Sequence, residues 1–414
     1  MRILHFSDVH IGVENYGSTD SNTGLNTRLI DFLNTFDMIV DFALDKEVDL
    51  MLFAGDAYKS REPSQTHQRE FAKRIARLSQ EGMPAFLLLG NHDLPNITSR
   101  ATALDIFKTL TVPNITIGDS LGTYSVQTRN GGPIQLIALP WIRRSEFLDR
   151  EETRNLTIDQ INQRIQEKIT DLINTNIQQL DPSIPAAIVA HASLNTAITS
   201  SEQSMVIGRD PLILQSSIAS RSLDYVALGH IHKHQILSHN PYIVYSGSIE
   251  RIDFGEENDE KGFCLIDIDP HQPQGQRVKD FEFHPLETRR FKTITVTAEE
   301  NQDPTECILK AIADTDINSM VVRIEINMPQ TIEHLLREDE IRSALEEAFF
   351  ITPIVRRVIR DRRTRLTPTL VDHISPVDAL KLYLETISAT EERTKTLLRY
   401  GENLINEQLD SESR

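Results

Sequence analysis

Five short apolar runs in this chain each end on aspartate, asparagine or histidine, and that repetition constrains the fold more than any bulk property. Residues 2–6 lead into Ser7-Asp8-Val9-His10, residues 49–54 into Gly55-Asp56, and residues 85–89 into Gly90-Asn91-His92-Asp93. Residues 186–190 lead into His191, and residues 225–228 into Gly229-His230-Ile231-His232. Runs apolar at nearly every position suit strands covered on both faces, as in a layered α/β sandwich. Two further strands are expected at 135–139 and 263–268. Between the runs lie helical stripes: Leu29, Leu33, Phe36, Val40 and Leu44; Phe71, Ile75 and Leu78; and Ile158, Ile161, Ile165, Ile169 and Leu172. In open α/β sheets ligands bind at the carboxyl ends of the strands. Such a fold would gather these histidines, aspartates and the asparagine in one cleft.

Imidazole with carboxylate, and no thiolate, is a donor set for Mn, Fe or Zn rather than for Ca or Mg. Asp56, alone at its strand end, is the natural bridge between two ions. Two ions so placed would lower the pKa of a water between them and clamp a phosphoryl oxygen. Each motif has a plainer reading on its own, Asn91 as a turn residue and Asp8 as a cap. Together, at successive strand ends, they point to a dinuclear centre.

A length of 414 residues implies two or three domains at ~100–200 residues each. We expect boundaries at 1–285, 286–366 and 367–414. Beyond residue 287 the pattern changes to a small α+β unit, with strands near 291–297, 320–326 and 354–359 and helices near 307–313 and 338–349. A linker at 364–374 carries Pro368, and Ser375-Pro376 supplies a helix cap and a first-turn proline. Thr390 can cap a last helix. With 43 basic against 61 acidic residues the net charge is −18, which argues against coating nucleic acid or anionic membrane through overall charge. Two cysteines exclude a disulfide scaffold or a cysteine-rich zinc module. No apolar stretch approaches the ~20 residues that span a bilayer. The amino-terminal run lacks the apolar core of a signal peptide, so a reducing cytoplasmic compartment is expected.

The set Asp8-x-His10, Gly55-Asp56, Gly90-Asn91-His92-Asp93, His191 and Gly229-His230-x-His232 resembles the calcineurin-like metallophosphoesterases. Further stretches resemble one branch, the SbcD-type DNA repair exonucleases, bacterial counterparts of the double-strand-break repair nuclease. These are Ser7 to Gly12, Ala54 to Tyr58, Leu139-Pro140-Trp141, Tyr245 to Arg251, and Asp253-Phe254-Gly255-Glu256. The phosphoprotein phosphatases of the superfold usually continue the bridging aspartate as Asp-Arg-Gly, where this chain has Ala57-Tyr58-Lys59.

The resemblance implies an αββα sandwich with a small capping domain and carboxy-terminal helices. It implies a first metal site of Asp8, His10, Asp56 and His232, and a second of Asp56, Asn91, His191 and His230. It makes His92 the catalytic histidine, which is not a ligand, with Asp93 as its orienting partner. Two Mn ions are the implied cofactor, with Fe or Zn as alternatives. The implied activity is 3′–5′ double-strand exonuclease and single-strand endonuclease, in a cytoplasmic, nucleoid-associated complex. Residues 367–414 would hold an SbcC-type SMC-like ATPase, and with no phosphate-binding loop in this sequence any ATP hydrolysis would come from that other chain. The helix of Leu29 to Leu44 resembles the family's dimerisation region, implying a homodimer; its plainer reading is core packing.

Some relatives carry a second active-site histidine where Lys59 stands, so Lys59 is either a phosphate contact or an exposed loop residue. Arg356, Arg357, Arg360, Arg362, Arg363 and Arg365, opposed only by Asp361, read as a DNA-contacting edge or a solvated face. Trp141 reads as a core residue, with Arg143 and Arg144 beside it as possible substrate contacts. Two rivals stand beside the nuclease: a phosphoesterase acting on small esters, and a scaffold that loads the ATPase without cleaving.

Overall fold

Nearly every residue of the central strands is buried because the two faces of each strand meet different hydrophobic layers. A computed structural model describes residues 1–97, 100–143, 156–199, 212–359, 375, 377–378, 380–381, 384 and 391–412. The expected arginines 360, 362, 363 and 365, Arg144 and the linker at 364–374 lie outside the described residues. By contact the chain divides into two units, residues 1–328 with 332–357, and residues 329–331 with 358–414.

In chain order the strands begin with β1 (Arg2–Phe6), β2 (Leu50–Phe53), β3 (Ala85–Leu88), β4 (Ile115–Gly118), β5 (Gly122–Gln127) and β6 (Pro133–Leu139). Then come β7 (Ala186–His191), β8 (Ser193–Leu194), β9 (Leu212–Ile213), β10 (Tyr225–Gly229), β11 (Gln235–His239) and β12 (Tyr242–Tyr245). The series ends with β13 (Gly262–Ile268), β14 (Val278–Pro285), β15 (Phe291–Thr297), β16 (Val321–Pro329), β17 (Phe350–Ile351) and β18 (Val355–Ile359). One six-stranded sheet has the order β14-β13-β1-β2-β3-β4 and a second the order β11-β12-β10-β7-β6-β5. Within them β1 to β4 run parallel, as do β6, β7, β10 and β12, so the carboxyl ends in each set share an edge.

Alternation along these strands builds three cores. Leu4, Phe6, Met51, Phe53 and Leu87 pack with Leu33, Phe36 and Val40 of helix α1 (Thr27–Asp45) and with Phe71 and Ile75 of helix α2 (Gln65–Gln80). Ile3, Leu50, Leu52, Phe86 and Leu88 point the other way, onto Leu136, Val189 and Ala227 of the second sheet. Ile137, Ile188, Val226 and Leu228 pack on Ile165, Ile169 and Ile173 of the helix Ile158–Gln178. This is the layered αββα sandwich that the runs implied. The stripe of α1 faces this core, with Leu29, Phe36 and Val40 at most 1% exposed, so the stripe itself is spent on core packing.

A third sheet pairs β15, β16 and β17 in parallel, with β18 also on β16 and the helix Pro304–Ala313 crossing over between β15 and β16. The expected helix at 338–349 stops at Ala344. Arg289, just ahead of β15, clamps Asp31 of α1 through two hydrogen bonds of 2.7 and 3.0 Å. Tyr16 stands edge-on to Phe254, Phe291 and Phe350 at 5.5, 5.6 and 6.0 Å. In the second unit the Ser375 hydroxyl accepts from the Asp378 N–H as a cap (3.2 Å), and the last helix runs Glu391–Glu412, with Tyr400 and Leu404 exposed.

His5 is an exception in the inter-sheet core. It is fully buried, its Nδ1 pairs with the Tyr225 hydroxyl at 2.9 Å, and its Nε2 has no partner. Burial pushes its pKa down to about 3 from 6.5. The unfolded chain therefore binds a proton at His5 that the folded chain refuses, so stability falls as the pH drops from about 6.5 towards about 3. The slope from this group is about 1.4 kcal/mol per pH unit. Urea unfolding at pH 7 and pH 5, with chelator present, checks this: His5→Leu is expected to lose about 2 kcal/mol less than the parent on acidification.

Candidate metal centre

The backbone at the carboxyl edge is tightly prescribed. Beyond β1 and β2 the two chains stay paired: Asp8 N–H donates to the Gly55 carbonyl (2.9 Å), His10 N–H to that of Asp56 (3.1 Å) and Ile11 N–H to that of Ala57 (3.0 Å). Asp8, His10, Asp56 and His230 all take positive φ, at 53°, 45°, 63° and 92°. Such conformations cost about 1–3 kcal/mol each outside glycine and persist where a site over-determines them. Close approach needs glycine at two points. A Cβ on Gly90 would stand 2.1 Å from Asp56 Oδ1, and one on Gly55, at φ +98°, 2.5 Å from His191 Nδ1.

The strand ends bring the expected ligands into two clusters that share one carboxylate. In the first, His10 Nε2 lies 3.8 Å from Asp8 Oδ1, 3.6 Å from Asp56 Oδ2 and 3.0 Å from His232 Nε2. In the second, His191 Nε2 lies 3.4 Å from Asp56 Oδ2 and 3.0 Å from Asn91 Oδ1, and His230 Nδ1 lies 3.1 Å from the same amide oxygen. Among the described residues three triads have donor atoms close enough to share an ion: Asp8-His10-His232, Asp8-Asp56-His191 and His10-Asp56-His92. All but Asn91 and His92 are at most 7% exposed.

The protonation pattern fits a cation. His191 Nδ1–H donates to the Ala54 carbonyl (2.7 Å) and His232 Nδ1–H to the Glu256 carboxylate (2.7 Å). Both Nδ1 protons are thereby fixed and both rings present Nε2 to the clusters, in His191 as a lone pair once it gives up the second proton that Asp56 favours. His10 Nδ1 and His230 Nε2 are buried without any partner. Burial drives His10 well below the ordinary histidine range and His230 down to about 3, so both are neutral, as ligands must be. Burial also pushes the Asp8 carboxyl up to about 6. For Asp56 burial acts in the same direction, but His191 beside it outweighs that and holds the carboxyl well below its usual range. His191 shows the counterpart, pushed up to about 9 by Asp56 against the effect of its own burial. Divalent metal ions suit this donor set, and Asp56 belongs to two of the three triads.

His92 and Asp93 have separate tasks. His92 Nδ1–H donates to the Lys59 carbonyl (2.7 Å), and its ring meets that of His10 edge-on at 5.1 Å. The orienting partner of His92 is thus a main-chain oxygen rather than Asp93. The Asp93 carboxylate accepts three backbone N–H groups, from Asp56, Ala57 and Gly90, each at 2.9 Å, and braces the turn that carries Asp56. A side chain adjacent in sequence points elsewhere, and the brace needs donors from two separate turns. Lys59 is half-buried beside His92. Arg356 pairs with Glu338 and Glu333, and Arg357 with Glu325 at 2.8 Å, so carboxylates already engage both.

Sequence reasoning missed the support of His232. Glu256, fully buried, holds its Nδ1–H and also pairs with the buried Lys261 ammonium (2.8 Å), which donates in turn to the His232 carbonyl (3.0 Å). Lys261 and the imidazole hold the Glu256 carboxyl far down despite its burial. Nothing in the distance from residue 232 to 256 signals this contact. Trp141, read as core, is half-buried and packs on His230.

The sequence model for calcineurin-like phosphoesterases matches residues 1–234, more than half of the chain. The chain belongs to that family. Among curated relatives of this phosphoesterase is the DNA double-strand break repair protein Mre11 of Thermoplasma acidophilum, 25% identical over 281 residues, which cover 67% of this chain and 64% of that protein. The SbcD component of the nuclease SbcCD of Escherichia coli K12 is 27% identical over 276 residues, 64% of each chain. That of Staphylococcus epidermidis is 26% identical over 274 residues, 66% of this chain and 67% of the relative. The phosphoesterase therefore spans less than two thirds of the length of the first two relatives. Among its described residues no helix is long and apolar enough to cross a membrane.

Glu256→Gln keeps an acceptor for His232 but strands the Lys261 charge. We expect it to weaken manganese binding about 10- to 100-fold, read by calorimetric titration of the metal-free protein. An unchanged affinity would show that Glu256 does not orient the ligand.

Proposed function

We propose that this phosphoesterase is a manganese-dependent DNA nuclease, the cleaving component of a repair complex of the SbcCD kind. The observation that carries the reading is the pair of donor clusters joined at Asp56, with His92 beside them. Asp8, His10, Asp56 and His232 would hold one ion, and Asp56, Asn91, His191 and His230 the other. Manganese is the preferred ion, with iron and zinc as alternatives for the same donors. When bound, the ions supply Lewis acidity that lowers the pKa of a water and neutralises charge on the phosphoryl group.

The chain's own residues do the rest. The Lys59 carbonyl fixes the proton on His92 Nδ1, which leaves Nε2 to carry the proton for the departing sugar oxygen. Burial lowers the His92 pKa, which makes its protonated form a stronger acid. Asp93 keeps the Asp56 turn rigid, so that the shared carboxylate holds its position. Lys59 is proposed to meet a phosphate at the mouth of the site. Residues 356–363 are proposed as a DNA-facing edge on which a phosphate competes with Glu325 and Glu338 for Arg357 and Arg356. The relatives' names support DNA as substrate.

We assign residues 286–366 to a capping domain that holds the duplex and residues 367–414 to recruitment of an SMC-like ATPase, in a cytoplasmic, nucleoid-associated complex. Exonuclease action from the 3′ end on duplex, endonuclease action on single strands and pairing of two copies belong to the same reading, which rests for them on the family resemblance.

His92→Ala is expected to lower manganese-dependent cleavage of labelled duplex by about 10²- to 10⁴-fold while DNA binding persists; equal cleavage by variant and parent would remove His92 from the chemistry. Turnover of a chromogenic phosphodiester with duplex untouched, even with the ATPase present, would favour the small-ester rival. Deleting residues 367–414 is expected to abolish co-purification of a long coiled-coil ATPase, and retention of that partner would refute the assignment.

A further inference from the structure

Trp141 is the chain's single tryptophan, and the fold delivers it to the ligand edge. It follows β6 by way of Pro140, and its N–H donates to the Leu89 carbonyl (3.0 Å), tying the end of β6 to the end of β3 just ahead of Gly90-Asn91. The indole packs on His230 with ring centroids 4.8 Å apart and planes at 42°, and it stands edge-on to His191 at 6.1 Å. Both imidazoles contact the Asn91 amide oxygen. Trp141 therefore borders one half of the centre, whereas His92 borders the other through His10.

The next residue, Ile142, is sunk in the core, but Trp141 stays half-buried. Trp141 is thus left partly accessible while its ring lies against two imidazoles of the donor clusters, and burying apolar ring surface is favourable. A ligand that puts phosphate on the donor clusters and a flat aromatic surface on the indole satisfies both at once. Nucleotides have that shape, and base–aromatic stacking tolerates any sequence because every base has a π face.

The geometry points to Trp141 as a base-stacking platform that positions the nucleotide next to the phosphodiester being cut. This deepens the nuclease reading and rests on it. The substrate class it selects is a nucleic-acid strand with an unstacked base at the site, as at a strand end or in single strands, over a fully stacked duplex interior.

Because no other tryptophan emits, fluorescence excited at the indole reports this position alone. Titrating the manganese-loaded full chain with a single-stranded phosphorothioate oligonucleotide is expected to quench the emission. Trp141→Leu is expected to raise KM for the cleavable oligonucleotide about 5- to 150-fold, the range that stacking of one base supports, with kcat changed far less; Trp141→Phe is expected to recover most of the loss. If the parent cleaves DNA but shows no quenching, and Trp141→Leu shifts KM by less than twofold, the platform is refuted and the nuclease reading stands. If manganese affinity in Trp141→Leu, measured by calorimetry, falls in step with the KM change, Trp141 is only a prop for His230 and the platform is again refuted. A parent that cleaves no oligonucleotide at all overturns the nuclease reading itself.

Discussion

One buried carboxylate organises this molecule. Asp56 turns Oδ2 towards His10 and His191, accepts the His92 N–H on Oδ1 (2.8 Å), and has its own N–H held by Asp93. It reaches that position only because its backbone takes a left-handed conformation and because Gly90 leaves no Cβ in the way. Two sheets must therefore end within hydrogen-bonding distance of a single side chain. The three hydrophobic layers serve that end, since strands packed on both faces have little freedom to slide.

The gathering of these donor residues was legible because its signal is local. A strand buried on both faces reads as an unbroken apolar run, and a polar group directly after it stands out. Edge strands give no such signal. β11 and β14 are mostly half-buried or exposed along their length, so their runs are mixed and were not anticipated. The support of the ligands is non-local and stayed hidden. Asp93 looked like a partner for His92 because it is next to it, yet its three acceptor contacts go to Gly90 and to the turn after β2. Glu256 gave no hint of reaching His232, and a lone tryptophan reads as core until its neighbours are known.

The acidic total takes on a different meaning once placed. Asp8 and Asp56 lie in clusters that could hold a cation to offset them, while Arg356 and Arg357 are already drawn to Glu338 and Glu325. The surplus of acid is thus not a uniform shield against DNA, nor are Arg356 and Arg357 an unopposed patch. The third sheet, which the change of pattern marked as separate, is knotted to α1 by Arg289 on Asp31, and Glu250 accepts from the Arg289 and Arg251 N–H groups. The Arg251 guanidinium in turn donates to the carbonyl of Glu256 (3.2 Å). The Arg289 stretch ahead of the third sheet and the His232 imidazole therefore share one continuous chain of polar contacts.

The four left-handed residues carry one further consequence. Together with two buried imidazole nitrogens lacking partners, they make the ligand edge the least comfortable part of an otherwise well-packed sandwich. The apolar layers beneath are what hold this strained edge in place. Any loosening of the packing beneath would therefore release this edge first, which makes it a gauge of how well the sandwich is seated.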